Sequence, residues 1–216
     1  MKHFVLGASF LMFISSLPAD ATNRHAITLK TPSESNQMVF LQSFGETLPP
    51  IGYVNFCRVR AAECRPSRRF ADRIQLTRAK AAELRKVNKS VNSAVAPVTD
   101  MDLYGEVERW TYPVKKGDCE DYVLLKRRIL IERGWPETAL LITVVRDENN
   151  EGHAVLTVRT DRGDFVLDNK VNPVKAWADT PYTFVKQQSA RNPLVWSSLL
   201  PPDLAPQPAM SASNRD

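Results

Sequence analysis

The sequence predicts an α+β domain, with helices first and the last strong helix laid on an antiparallel sheet. Three observations predict it. The stretches from Arg69 to about Val95 and from Cys119 to about Arg133 carry apolar residues at helical spacing. From residue 139 the period changes to short apolar runs divided by turn residues. Two of these runs, 153–159 and 165–168, are close enough to form a β-hairpin.

Taken in order, "MKHFVLGASFLMFISSLPADA" has Lys2, an apolar run from Phe4 to Leu17, Pro18, and a small-x-small end at Ala19-Asp20-Ala21. The run is short for a membrane span of roughly 20 residues. Residues 1–21 therefore read as a secretory signal peptide cut after Ala21; the other reading is an uncleaved anchor. No other stretch is apolar enough to cross a membrane, so the mature chain is expected to be exported and not membrane-spanning. Residues 22–44 read as a flexible lead-in, 45–199 as the folded domain, and the Pro-rich 200–216 as a disordered tail.

Export gives the cysteines meaning. Cys57 and Cys64 stand seven apart, which suits a local disulfide in an oxidising compartment; two reduced, buried thiols are the alternative. Cys119 is left over, either incidental or a free reactive thiol.

In the helix from Arg69 to about Val95, residues Phe70, Ile74, Ala81, Leu84 and Val91 share a face, and Pro97 closes it. Residues 99–110 read as a short helix opened by Thr99 or Asp100, followed by a loop. From Cys119 to Arg133, Val123, Leu124, Ile129 and Leu130 face the core, with Gly134 as the stop and Pro136 beyond. Residues 139–145 read as a buried strand, 147–152 as a turn, 153–159 and 165–168 as a hairpin, and 182–189 as a further strand.

Composition is globular, with 43% hydrophobic and 25% charged residues. The net charge is +5, from 29 Lys+Arg against 24 Asp+Glu, and five arginines fall within residues 57–70. No base-reading motif accompanies them, so they read as a solvated face and nucleic acid is excluded as a partner.

The chemistry centres on "GDCEDY" (117–122). Flanking carboxylates oppose a thiolate, but the start of a helix carries partial positive charge that favours one. A nucleophilic cysteine needs a base. His3 goes with the signal peptide and His25 sits in the lead-in, which leaves His153 at a strand start. If 153–159 and 165–168 are antiparallel, Asp168 ends beside His153 and can orient its imidazole. Each residue also has a plain reading: a structural cysteine, a surface histidine, and turn chemistry at Asp168-Asn169.

Across "GDCEDYVLLKRRIL", "GHAVLTVRTDRGDFVLDN", the upstream "FC…EC" pair and "YGEVERWTYP", the chain resembles the bacterial transglutaminase-like cysteine proteases, over roughly residues 45–190. The resemblance implies a papain-like/transglutaminase-like fold in the periplasm, with Cys119 as nucleophile, His153 as base and Asp168 as orienting acid. One branch of that family trims biofilm adhesins. For this chain it implies a protein or peptide substrate, such as a surface adhesin, and an inner-membrane regulatory receptor. It also implies calcium beside the nucleophile, held by Asp118 and Glu120 with Asp121 close by, a hard-oxygen set that suits the ion. Helix capping explains the same acids without a metal. The Cys119 N–H is one oxyanion donor by position, and Trp110 is a second candidate from its place in the matching segment. The same triad serves a transglutaminase or amidase, and a non-catalytic calcium-dependent binding module is the reading from another class.

Overall fold

The computed structural model describes Met1, residues 40–67 and residues 70–204. The expected signal peptide, most of the lead-in, Arg69 and the tail from 205 lie outside the described residues.

Seven strands form one antiparallel sheet: β1 (Glu46–Thr47), β4 (Leu140–Arg146), β5 (Gly152–Thr160), β6 (Gly163–Leu167), β7 (Lys175–Ala176), β8 (Thr183–Gln188) and β9 (Trp196–Ser198). Their order across the sheet is β1-β9-β8-β4-β5-β6-β7. The helices are α1 (Ile51–Val59), α2 (Arg78–Ala94), α3 (Asp100–Tyr104) and α4 (Cys119–Glu132). A separate parallel pair joins β2 (Ala96–Pro97) to β3 (Lys116–Gly117).

The main core lies between helices and sheet. Leu84, Val87 and Val91 of α2 and Val123, Leu124 and Leu130 of α4 meet Leu140, Ile142, Leu156 and Val158. A smaller cluster, Val145, Val155, Val166, Phe184 and Leu199, forms a second core. The alternation along β4 and β5 sends neighbouring residues to different clusters, as the two-residue strand period requires. Cys57 and Cys64 form the expected disulfide, and Cys119 is the free cysteine.

Several expectations need correction. The first long helix begins at Arg78 rather than Arg69, where the Thr77 hydroxyl accepts from the Lys80 N–H at 3.2 Å. The segment before it is held extended instead. Ile74 bridges Thr160, and Leu76 N–H donates to Asp161. Tertiary pairing there overrides the helical period, and Phe70 is 46% exposed instead of joining the core. The helix expected over 99–110 is Asp100–Tyr104 alone, because Gly105 turns left-handed with φ 71°. Beyond it, the N–H groups of Arg109 and Thr111 go to the carboxylates of Asp100 and Asp121. The run expected as a further strand over 182–189 is one: β8, which lies between β4 and β9. The helix α1 and strands β1 and β9 have no counterpart in the sequence reading. No helix among the described residues is long and apolar enough to cross a membrane.

Candidate active site

The start of α4 is fixed from three sides. The β2–β3 pair pairs Ala96 with Lys116 and Pro97 with Gly117, which anchors the residues just before Cys119 to the end of α2. Gly117 must lack a side chain, because a Cβ there would lie 2.4 Å from Asp121 Oδ2 and 2.9 Å from Asp121 Cβ. On the sheet side, the Ala154 N–H of β5 donates to Cys119 Sγ at 3.4 Å. The thiol itself donates to Glu120 Oε2 at 3.1 Å.

His153 and Asp168 meet across the β5–β6 hairpin. The register pairs Leu156 with Leu167, so Asp168 continues opposite Val155 and His153 is its diagonal neighbour. His153 Nε2 and Asp168 Oδ1 are 2.9 Å apart, and both side chains are buried. Asp168 Oδ1 also accepts from Lys170 N–H at 2.9 Å, and Oδ2 accepts from the Tyr182 hydroxyl at 2.6 Å. Burial alone raises the Asp168 pKa, but the bonds from His153, Tyr182 and Lys170 outweigh it and hold the group below its ordinary value. As a carboxylate it can only accept, so Nε2 donates, and in the neutral imidazole this leaves Nδ1 with the lone pair. The Tyr182 ring stands edge-to-face with the imidazole at 5.6 Å.

Cys119 and His153 line one open cleft of about 430 Å³, together with Thr99, Asp118, Asp147 and Asn169. No described hydrogen bond joins the Cys119 thiol to the imidazole; the thiol is turned to Glu120. Burial, then the Glu120 carboxylate, pushes the thiol well above its ordinary pKa. The helix start was expected to favour the thiolate, and these two effects outweigh it.

The acids behave differently from the capping explanation. Asp118 stands at the N-cap of α4 but makes no side-chain cap bond; its Oδ2 accepts from Asp100 N–H at 3.2 Å. Asp100, Asp118 and Glu120 place one oxygen each within 4.8 Å of one another. Asp100 is 1% exposed, and Oδ1 of both Asp100 and Asp118 is buried without a hydrogen-bond partner. Burial, then the Asp118 charge, lifts Glu120 to about 8, and burial likewise raises Asp118 and Asp100. Asp121 stands outside this group, with Oδ1 on the Thr111 N–H at 2.8 Å. Burial lifts it to about 7. Three oxygens converging with two orphaned partners fit a hard divalent cation.

Trp110 lies away from the cleft. A Cβ on Gly52 would fall 2.6 Å from its Nε1, so the indole is seated on α1, edge-on to Tyr53. Sequence reasoning also missed Asp100 and Tyr182. Asp100 reads as an ordinary first-turn acid, and Tyr182 lies 14 residues from Asp168 with no motif to link them.

A thiol at a helix start, facing a sheet that carries a hydrogen-bonded imidazole–carboxylate pair, is the arrangement of a cysteine protease. The chain belongs to the bacterial transglutaminase-like cysteine proteinases (BTLCP), whose family model matches residues 43–203. No curated protein matches the chain. Among solved structures, it is similar to calcium-bound LapG of Legionella pneumophila, with 24% identity and a TM-score of 0.47 over 64% of this chain and 77% of that one. It is also similar to EGTA-treated LapG of the same organism, with 28% identity and a TM-score of 0.45 over 54% and 66%.

Proposed function

We propose that the protein is an exported cysteine endopeptidase working through Cys119, His153 and Asp168. The observation that carries this reading is the 2.9 Å bond between His153 Nε2 and Asp168 Oδ1, on the cleft that Cys119 also lines. In the reaction, Nδ1 of His153 takes the thiol proton as Sγ attacks a peptide carbonyl carbon. The carbonyl oxygen becomes an oxyanion, which the Cys119 N–H can meet, since a first-turn N–H has no partner within its own helix. The C–N bond then breaks, and the amine leaves with the proton from the imidazolium. Water, deprotonated by His153, hydrolyses the thioester. Asp168 keeps Nε2 protonated and turned away from the thiol throughout.

Calcium is the cation that the acids suit. Asp100, Asp118 and Glu120 would hold it, and Asp121 would add charge nearby. When bound, the ion supplies positive charge beside the thiol and offsets the carboxylates that raise its pKa. Residues 1–21 support export to a periplasm, where the substrate class would be surface proteins such as adhesins, under an inner-membrane regulator.

Purified residues 22–216 and Cys119→Ala should be incubated with candidate exported proteins, in calcium and in EGTA. Cleavage by the native form alone is expected, and strongest in calcium. Equal cleavage by both forms removes Cys119 as the nucleophile. Equal activity in EGTA after metal stripping removes the calcium requirement.

A further inference from the structure

We propose that Asn92, with Asn88 one turn earlier on α2, is a positioning residue of this site: the two side-chain amides hold the turn after β6 and so set where the Asp168 carboxylate meets His153. The inference rests on the triad reading above.

The sheet does not hold Asp168 by itself. The β5–β6 ladder ends at the Leu156–Leu167 pair, one residue short of Asp168, and the chain rejoins the sheet at Lys175 of β7. Between those points α2 supplies the donors. Asn92 Nδ2 donates to the Asp168 carbonyl at 2.9 Å, to the Val171 carbonyl at 3.2 Å and to Asn172 Oδ1 at 3.2 Å. Asn88 Nδ2 donates to the carbonyls of Val171 at 3.0 Å and Asn172 at 2.9 Å. The two positions are four apart, so both amides leave one face of the helix. With the main chain of Asp168 held there, the Lys170 N–H folds back onto Oδ1 at 2.9 Å, and the carboxylate meets His153 and Tyr182.

Committing the amides to this turn costs stability. Asn88 is 0% exposed, and Oδ1 of both asparagines is buried without a hydrogen-bond partner. Turning either amide over would set its oxygen against carbonyl oxygens. An apolar side chain on this face would leave no orphaned acceptor on α2. The same helix also anchors the other half of the site. Ala96, just past its end, pairs with Lys116 ahead of Cys119, and the Tyr122 hydroxyl of α4 donates to the Val95 carbonyl at 2.5 Å. One helix therefore holds both the segment that carries the thiol and the turn that carries the carboxylate.

The competing account is purely structural: the amides stabilise the turn, and activity suffers only as stability does. Asn92 separates the two accounts. It is half-buried, so water can meet the carbonyls that its removal leaves.

The test compares Asn92→Ala with Thr77→Ala, which removes the N-cap of the same helix and makes no bond to the turn. Each should lower the melting temperature by about 2–4 °C. Two readouts are then taken in calcium. One is acylation by p-nitrophenyl acetate, in which Sγ bonds to the acetyl carbon, p-nitrophenolate leaves with the bonding pair, and His153 takes the thiol proton. The other is the Nε2–H cross peak of His153 in NMR spectra of protein carrying isotope-labelled histidine, assigned by its loss in His153→Gln. Asn92→Ala should acylate about tenfold more slowly, as a small misplacement of a catalytic group does. Its cross peak should shift or vanish, as in Asp168→Asn. Thr77→Ala should match the native protein in both. Asn92→Ser, whose hydroxyl stops a bond short of the amide, serves if the alanine form does not fold. A native rate or an unmoved cross peak in a folded Asn92 variant overturns the proposal, as does a rate loss in Thr77→Ala equal to that in Asn92→Ala. The triad reading fails separately, if native acylation does not exceed that of Cys119→Ala or if the cross peak is no different in Asp168→Asn. If both of those controls hold and the Asn92 variant behaves as native, only the role of Asn92 fails.

Discussion

Raising the pH from about 5 to 8 should weaken the protein in the absence of a divalent cation, and calcium should reverse the loss. Burial, then the Asp118 charge, holds Glu120 at about 8 against an ordinary 4.5, and burial holds Asp121 at about 7 against 3.8. In the unfolded chain these carboxyls release their protons near the ordinary values. Between those values and the raised ones the folded state binds more protons, so stability falls as pH rises through the interval. For Glu120 alone, ~1.4 kcal/mol per tenfold in proton affinity gives at most about 5 kcal/mol. Calcium binds the ionised groups, so its effect grows with pH. At a hundredfold excess over Kd it adds about 2.7 kcal/mol. For a domain of this size that is roughly 5–11 °C in Tm. The assay is thermal melting of Cys119→Ala, which cannot digest itself, in EGTA and in calcium at both pH values. Asp100→Asn should remove most of the calcium shift. A Tm that rises from pH 5 to 8 in EGTA, or a calcium shift that survives Asp100→Asn intact, refutes the reasoning.

Three further outcomes follow from the same contacts. Tyr182→Phe keeps the ring against His153 but removes the 2.6 Å bond to Asp168, so kcat should fall about tenfold with KM nearly unchanged, measured on any cleaved substrate. Cys57→Ser with Cys64→Ser opens a loop of sequence separation 7, and denaturant unfolding should show a loss of about 2–3 kcal/mol. Gly117→Ala drives a methyl into Asp121 and shifts the start of α4, so alkylation of Cys119 by iodoacetamide should change while the other two cysteines, being disulfide-bonded, stay unlabelled.

The parts legible in sequence were those set by local chemistry. The helix Cys119–Glu132 has its period, Gly134 at φ 85° and a Trp135 N–H to Leu130 carbonyl closure, all within a few residues. The β5–β6 hairpin is equally local, and it alone brings His153 to Asp168. What escaped depends on distant pairing. Residues 71–77 carry a helical period yet pair with the end of β5, and β1 exists only because Glu46 and Thr47 find Ser197 and Trp196. Asp100 escaped for the same reason: 18 residues separate it from Asp118, and the Gly105 turn and the β2–β3 pair fold that distance away.

The two halves of the site rest on different kinds of support. The His153–Asp168 half is complete in hydrogen bonds: each Asp168 oxygen has a donor, and one ring nitrogen is committed. The Cys119 half is incomplete, since its thiol is bonded to a carboxyl whose neighbours Asp100, Asp118 and Asp121 each leave one buried oxygen without a donor. Orphaned buried carboxylate oxygens cost stability wherever they occur. They gather around the start of α4, Asp118 from the residue before the nucleophile and Asp100 from α3 bonded to it, which ties the cost to the thiol's side of the site. A cation that satisfies Asp100 and Asp118 also competes with the thiol for Glu120. On the proposed calcium reading, metal binding and release of the nucleophile from its acidic neighbour would be one event at the Glu120 side chain, with the imidazole side unmoved.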